Sequence, residues 1–488
     1  MTADIGPPMV FGRTSARRWS PSWNGVFLAG TAVVTLAYLY LLATNTVDAL
    51  RGNEQWHIPR VANPPNQWWW LPVVPGLLIA ALPLLPLPSW AAIGTALCAA
   101  GALAYTLFAA QWGGGDNLMA KIINEPTGFH RAAGRITDVH DVLANYTTYL
   151  VQFELGSHVR SHPPGNLLLF EWLNDLMAAQ PGLQAVTLDW GKTFVSGLPM
   201  LLGAGNPGYL MAGAVAAIPL IIGLGRVAAL PVAAITRTLG EPALPATLLF
   251  LVLPTTLVHI PLLDTVYPLL TALVVLTGLA AVEHRSWALA ALSGAAYALS
   301  LVFSASLAVI AIPIGIYAIF RLRWAALRPG LLFAAGWAAV WLVLWLAASL
   351  NMITVMQFMA EHQREFEAQR SYWLWFRWKW YDFAMFCGIP VAALCLKFLI
   401  ESAQRWRARR PLKLDYFFAG WLAMMVVLWI TPAALAEAGR LWAPLMCFAV
   451  LFAAAALPRL RGALSLVLLL EIAQVLVINR YLEVINSG

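Results

Sequence analysis

The sequence predicts an all-α polytopic membrane protein, about 13 transmembrane helices (range 11–15) in a single domain over residues 1–488, with helical extracytoplasmic loops. Three observations predict it. Of the 488 residues, 60% are hydrophobic and 11% are charged, whereas a soluble domain carries about a quarter charged residues. Apolar stretches long enough to span a bilayer recur along the whole chain. Lysine and arginine gather in alternate connections between those stretches, as the positive-inside rule requires.

The apolar stretches run over 24–43, 71–87, 91–110, 208–225, 243–260, 262–281, 287–303 and 307–320, then 330–350, 383–400, 416–430, 442–457 and 464–478. The first follows Arg13, Arg17 and Arg18 and exceeds a usual signal core, so it reads as a retained anchor. Residues 165–206 read either as interfacial helices or as a hairpin of two further spans. With the N-terminus in the cytoplasm, the inner loops carry Arg226 and Arg237, His284 and Arg285, Arg321 with Arg323 and Arg328, the run from Arg405 to Lys413, and Arg459 with Arg461. The outer loops are then 44–70, 111–161, a tight turn at Pro261, 351–382 and 431–441. A cell-membrane, multi-pass protein with extracytoplasmic loops follows from that alternation.

The net charge of +7 does not imply a nucleic-acid partner, because the basic residues sit in short connections between apolar stretches. Cys98, Cys387, Cys395 and Cys447 lie in or beside apolar stretches without metal-ligand spacing or a disulfide framework. No internal repeat of 20–50 residues is visible.

Chemistry is expected in the two long outer loops, 111–165 and 351–382. In the first, Asp138 and Asp141 share a helical face, with His140 between them. His158, Arg160 and His162 follow, and His162 opens a His-Pro-Pro-Gly turn that would hold its neighbours rigidly at the membrane surface. The plainer reading is that Asp138 caps a helix and the prolines end a loop. In the second loop, Arg364, Arg370, Arg377 and Lys379 interleave with Tyr372, Trp373, Trp375, Trp378 and Trp380. That pattern suits either an interfacial anchor or a clamp on a lipid phosphate. Asp264, in a short turn, binds a sugar hydroxyl or caps the next helix. Glu437 and Arg440 stand before a late apolar stretch, and Glu471 falls inside the last one with no evident partner.

The acidic loop at Asp138, followed about 24 residues later by His162-Pro163-Pro164-Gly165, resembles the polytopic GT-C glycosyltransferases, most closely the protein O-mannosyltransferases and their bacterial relatives. The Glu437-x-x-Arg440-Leu-Trp pattern is similar to late motifs of several GT-C enzymes. The resemblance implies a polyprenyl-phosphate-linked sugar donor, with Asp138 as base or acceptor-binding carboxylate and Arg440 near the donor phosphate. The chain departs from the usual Asp-Glu pair, placing its second acid at Asp141, and its loop follows the third apolar stretch, so Asp116 and Glu125 stand as rival acids. The resemblance implies transfer of a sugar, as by a mannosyltransferase or an arabinosyltransferase, to a lipid or glycan acceptor. No cofactor is expected, and a lone acid pair gives weak ground for a divalent metal. The alternative is a polytopic transporter or lipid-linked-sugar flippase.

Overall fold

A computed structural model describes residues 21–53, 56–60, 68–109, 114–123, 128–153, 158–432, 435, 438–460 and 462–482. Among these the chain is helical apart from a two-residue antiparallel ribbon, Gly52–Asn53 with Trp56–His57. Seven described helical segments are long and apolar enough to cross a membrane: Trp23–Thr44, Ser89–Leu107, Gly208–Thr238, Leu263–His284, Ala305–Ala348, Lys413–Ile430 and Ala463–Tyr481. An eighth arises if the bent pair Tyr372–Cys387 and Ile389–Arg407 is one broken span. The chain is thus a helical protein with the character of a multi-pass membrane protein.

The thirteen apolar stretches do not map one to one onto these segments. Val73–Leu84, Trp287–Phe303 and Ala443–Ala456 are apolar helices of only 10–17 residues. The 307–320 and 330–350 stretches form Ala311–Leu322 and Leu327–Ala348, joined through a single 3-10 turn at Arg323–Ala326. The 243–260 stretch breaks into Ala243–Leu251 and Pro254–Val258, because Pro254 has no N–H to continue the first helix and instead opens the second. That break explains a correction at Arg226, expected in an inner loop. Arg226 is buried within the Gly208–Thr238 helix and donates to the Leu251 and Thr256 carbonyls at 3.3 and 2.6 Å, on either side of the break.

Residues 165–206 form Gly165–Ala179, Pro181–Lys192 and Leu198–Gly203, none of them among the apolar candidates for a span. They pack along the first half of the 208–238 helix, where a Cβ at Gly191 would meet Val215 at 3.0 Å and one at Gly213 would meet Asn174 at 2.4 Å. None of the three has the length and apolarity that a hairpin of two further spans would require.

The aromatic side chains Phe398, Phe418, Trp421 and Phe452 pack with ring centroids 4.7–5.9 Å apart, joining Ile389–Arg407, Lys413–Ile430 and Ala449–Ala456. Beyond them the basic connections meet at one end of the molecule. Glu283 binds Tyr317 (2.6 Å), Arg321 (2.8 Å) and Lys413. Arg405 forks onto the buried Asp415 at 2.7 and 2.8 Å, a bidentate geometry that gives a strong charge-assisted pair.

The bend between Tyr372–Cys387 and Ile389–Arg407 is 111°. Gly388 makes it with φ +88°, and no Cβ fits there, because it would lie 1.8 Å from a Glu471 carboxylate oxygen. Breaking a helix in an apolar interior exposes N–H groups that must find partners. Glu471 accepts from the Val391 N–H (2.9 Å), while Gln474 accepts from the Ile389 N–H (3.0 Å) and donates to the Met385 carbonyl (2.7 Å). Glu471, without a partner in the sequence reading, is the side-chain cap of a broken helix.

Candidate functional site

Three segments bring chemistry-bearing side chains to one crevice. Lys121 comes from Gly114–Ile123, His158 and His162 from the turn before Gly165–Ala179, and Asp264 from the 3-10 turn Leu263–Thr265. Apolar walls are supplied by Phe129, Phe170 and Pro261 among others. The space open to water is ≈ 20 Å³, about one water molecule.

The His-Pro-Pro-Gly turn is seated by close packing. A Cβ at Gly165 would come 2.6 Å from the Val302 carbonyl, so only glycine lets this helix start against the end of Trp287–Phe303. The next residue, Asn166, is fully buried and donates to the Tyr267 hydroxyl at 2.6 Å. Tyr267 in turn donates to the Phe303 carbonyl at 3.3 Å. Tyr146 anchors the other side by donating to the His162 carbonyl at 3.0 Å. The turn at Asp264 is held by Gly225, whose absent side chain leaves room for the Thr265 carbonyl (2.9 Å from where a Cβ would be). Gly225 lies well inside the Gly208–Thr238 helix, so the Asp264 turn packs along that helix rather than at its tip.

Arg440 stands behind His158, with Nη1 2.9 Å from Nε2. A guanidinium offers only donors, so Nε2 of His158 accepts and the neutral ring carries its proton on Nδ1. Burial first, then the Arg440 charge and then His162, hold His158 well below the ordinary histidine value. Nδ1 of His162 lies 2.8 Å from the His158 carbonyl, which accepts its proton and leaves Nε2 as an acceptor in the neutral ring. Asp264 and Arg440 both lie within electrostatic reach of the Tyr267 hydroxyl. The result is a cation, a carboxylate and two imidazoles around one small opening.

The other expected residues lie elsewhere. Asp138 is exposed and caps Val139–Ala144, accepting from the His140 and Asp141 N–H groups at 2.8 and 3.3 Å. Asp141 is exposed and accepts from Asn145 at 2.9 Å, and His140 is exposed. None of the three lines the crevice. Asp116, the rival acid, ties Gly114–Ile123 to the turn after Pro181–Lys192, accepting from the Ser196 hydroxyl and from the Gly197 N–H at 2.7 Å. Arg160 donates to the Phe153 carbonyl (3.1 Å), and its charge helps burial to lower the titration of His362.

The 351–382 loop is two helices, Met352–Glu367 and Tyr372–Cys387, and its alternating cations therefore point in different directions. Arg364 and Arg377 are exposed. Arg370 lies over the Phe366 ring (4.3 Å) and pairs with the buried Glu367 (3.4 Å). Lys379 is fully buried and donates to the Leu428, Trp429 and Thr431 carbonyls at 3.0–3.3 Å, closing the end of Lys413–Ile430. Arg370 and Lys379 are thus engaged in contacts within the fold, and Arg364 and Arg377 stand in the open. Glu437 and Glu125 lie outside the described residues.

Lys121 is the crevice residue that sequence reading missed. It sits in an unremarkable Ala-Lys-Ile-Ile context, and its burial (8% exposed) is a tertiary fact. Among the described residues no group of three His, Cys, Asp or Glu side chains is placed to hold a metal ion. No protein-family model matches the chain, and comparison with curated proteins and with solved structures likewise gives no match.

Proposed function

We propose that this chain is a membrane glycosyltransferase that moves a sugar from a polyprenyl-phosphate donor to a lipid or glycan acceptor on the extracytoplasmic side. The observation that carries the reading is the convergence of Asp264, His158, His162 and Lys121, from three distant segments, on a single crevice. In this reading Asp264 takes over the role that the Asp138 motif suggested. Its carboxylate accepts the proton of the acceptor hydroxyl as that oxygen attacks the anomeric carbon. The bond from that carbon to the phosphate oxygen breaks, and Lys121 stabilises the charge left on the polyprenyl phosphate. The two imidazoles orient sugar hydroxyls, and Arg440 is a positioning residue that fixes His158. A sugar needs far more than the ≈ 20 Å³ present, so the walls must part on binding.

The test is donor-dependent transfer by the reconstituted chain, using polyprenyl-phosphate mannose and arabinose. Asp264→Asn should lower turnover by roughly 10²–10⁴-fold, the usual worth of a general base, while Asp138→Asn should leave transfer close to wild type. Full activity of a folded Asp264→Asn protein would remove the proposed base.

The bent pair at Gly388 favours a second reading, since broken helices line transport sites. In such sites, however, the exposed helix N-terminus serves the substrate, and here Glu471 and Gln474 occupy it. Sugar-lipid translocation into acceptor-free liposomes would favour the transporter.

A further inference from the structure

Away from the crevice, at the other end of Leu263–His284, lies a cleft of ≈ 750 Å³. That volume falls within the ~300–1,000 Å³ of ordinary ligand sites. Its walls are Ala311–Leu322 and Leu327–Ala348, which meet at the Arg323–Ala326 turn. Gly278, Ala281 and Ser293 form part of its floor. Small residues there leave the room, and the Ser293 hydroxyl is already spent on the Val274 carbonyl at 2.9 Å. The lining is almost wholly apolar, and Arg323 is its one charged residue.

The cleft stays open because Leu327–Ala348 is pinned the other way. No residue of that helix is buried. It leans on Trp287–Phe303 through Gly294 and Gly336, where a Cβ would come within 1.9–2.0 Å of the Phe333 and Ala291 carbonyl oxygens. Arg328 stands between the lining residues Leu327 and Pro329, and the charges around it and Arg323 are unbalanced. Arg321 is bound to Glu283, yet among the described residues neither Arg323 nor Arg328 has an ion-pair partner. Both are exposed, and Trp324 beside them is 88% exposed. An exposed tryptophan flanked by unpaired arginines is the composition of a headgroup-level rim.

We propose that this cleft is a binding site for an anionic phospholipid, with an acyl chain between the two helices and the headgroup phosphate on Arg323 and Arg328. The apolar walls take the chain, and the arginines select the charge. The site is separate from the crevice and does not depend on the transferase reading.

The experiment reconstitutes the full chain in phosphatidylcholine vesicles containing phosphatidylglycerol with a photoreactive acyl chain, and maps the crosslinked peptides. Crosslinks are expected on the two cleft helices and to be reduced by unlabelled phosphatidylglycerol but not by added phosphatidylcholine. Arg323→Gln and Arg328→Gln should each lower the yield roughly fivefold, the worth of one basic residue at an anionic surface. Gly315 and Gly330 line the cleft and have nothing within 4 Å of an added Cβ. Gly315→Phe with Gly330→Phe, whose Cβ atoms have room, should therefore place two rings in the cleft and abolish the crosslinks. Labelling spread evenly over the lipid-facing helices, or equal competition by phosphatidylcholine, would overturn the proposal. So would a yield unchanged in the arginine variants, which are surface changes that do not endanger folding.

Discussion

At the scale of single residues, side chains in similar sequence contexts take opposite roles according to what the fold places beside them. Asp138 and Asp264 are both carboxylates in short connections, but Asp138 lies in the open and accepts from two backbone N–H groups through one oxygen. Asp264 borders a crevice with two histidines and a lysine. His158 is the residue whose state is easiest to test. Its folded titration is lowered by burial and then by Arg440, so as pH falls the unfolded chain takes up the proton first, near the ordinary value of about 6.5. The stability that depends on neutral His158 is complete above that value and drains away below it. Gln can accept from Arg440 without titrating. The His158→Gln protein should therefore lose less thermal stability than wild type between about pH 7 and pH 5. Equal losses in scanning fluorimetry would mean that His158 is not the titrating group. The His-Pro-Pro-Gly turn, by contrast, was legible from sequence, because two prolines and a glycine restrict the backbone before any packing is considered.

At the scale of elements, the departures from expectation occur where helices break. Hydropathy counts apolar residues and is blind to a kink, so 243–260 reads as one span and folds as two pieces. Gly388 is the sharper case. Its φ of +88° already costs a non-glycine residue about 1–3 kcal/mol, and the Cβ would also strike the Glu471 carboxylate. Gly388→Ala should sharply reduce the monodisperse fraction recovered in fluorescence-detected size exclusion. A wild-type elution profile would show that the bend tolerates a side chain. The alternating Arg/Trp run misleads for a related reason. As an interfacial anchor or a phosphate clamp the run would act through one surface, but a helix of these residues scatters them, burying Trp375 and Lys379 while leaving Trp373 and Arg377 in the open.

Across the whole molecule, charge is sorted by end. The Glu283, Arg321, Lys413, Arg405 and Asp415 contacts gather connections that are far apart in sequence, and the crevice forms at the opposite end of Leu263–His284. If the positive-inside rule sets the orientation, a cysteine at Arg409 should be labelled only from the cytoplasmic side and one at His140 only from outside. Cys98 is the exposed native cysteine and would first be changed to Ser. Labelling of both positions from one side would refute the alternation of loops.

Sequence alone determined that the chain is helical and apolar enough to live in a membrane, because composition and the length of apolar runs are sums over residues. It also marked the His162 turn and Arg440, because rigid or charged residues at the edge of an apolar run are conspicuous. Only the tertiary structure decided which helices break, what Glu471 and Lys379 do, and that Lys121 and Asp264 face the histidines while Asp138 does not. Those outcomes depend on contacts between residues far apart in sequence, 49 positions for Lys379 with Leu428 and 80 for Val391 with Glu471, and no local pattern encodes them.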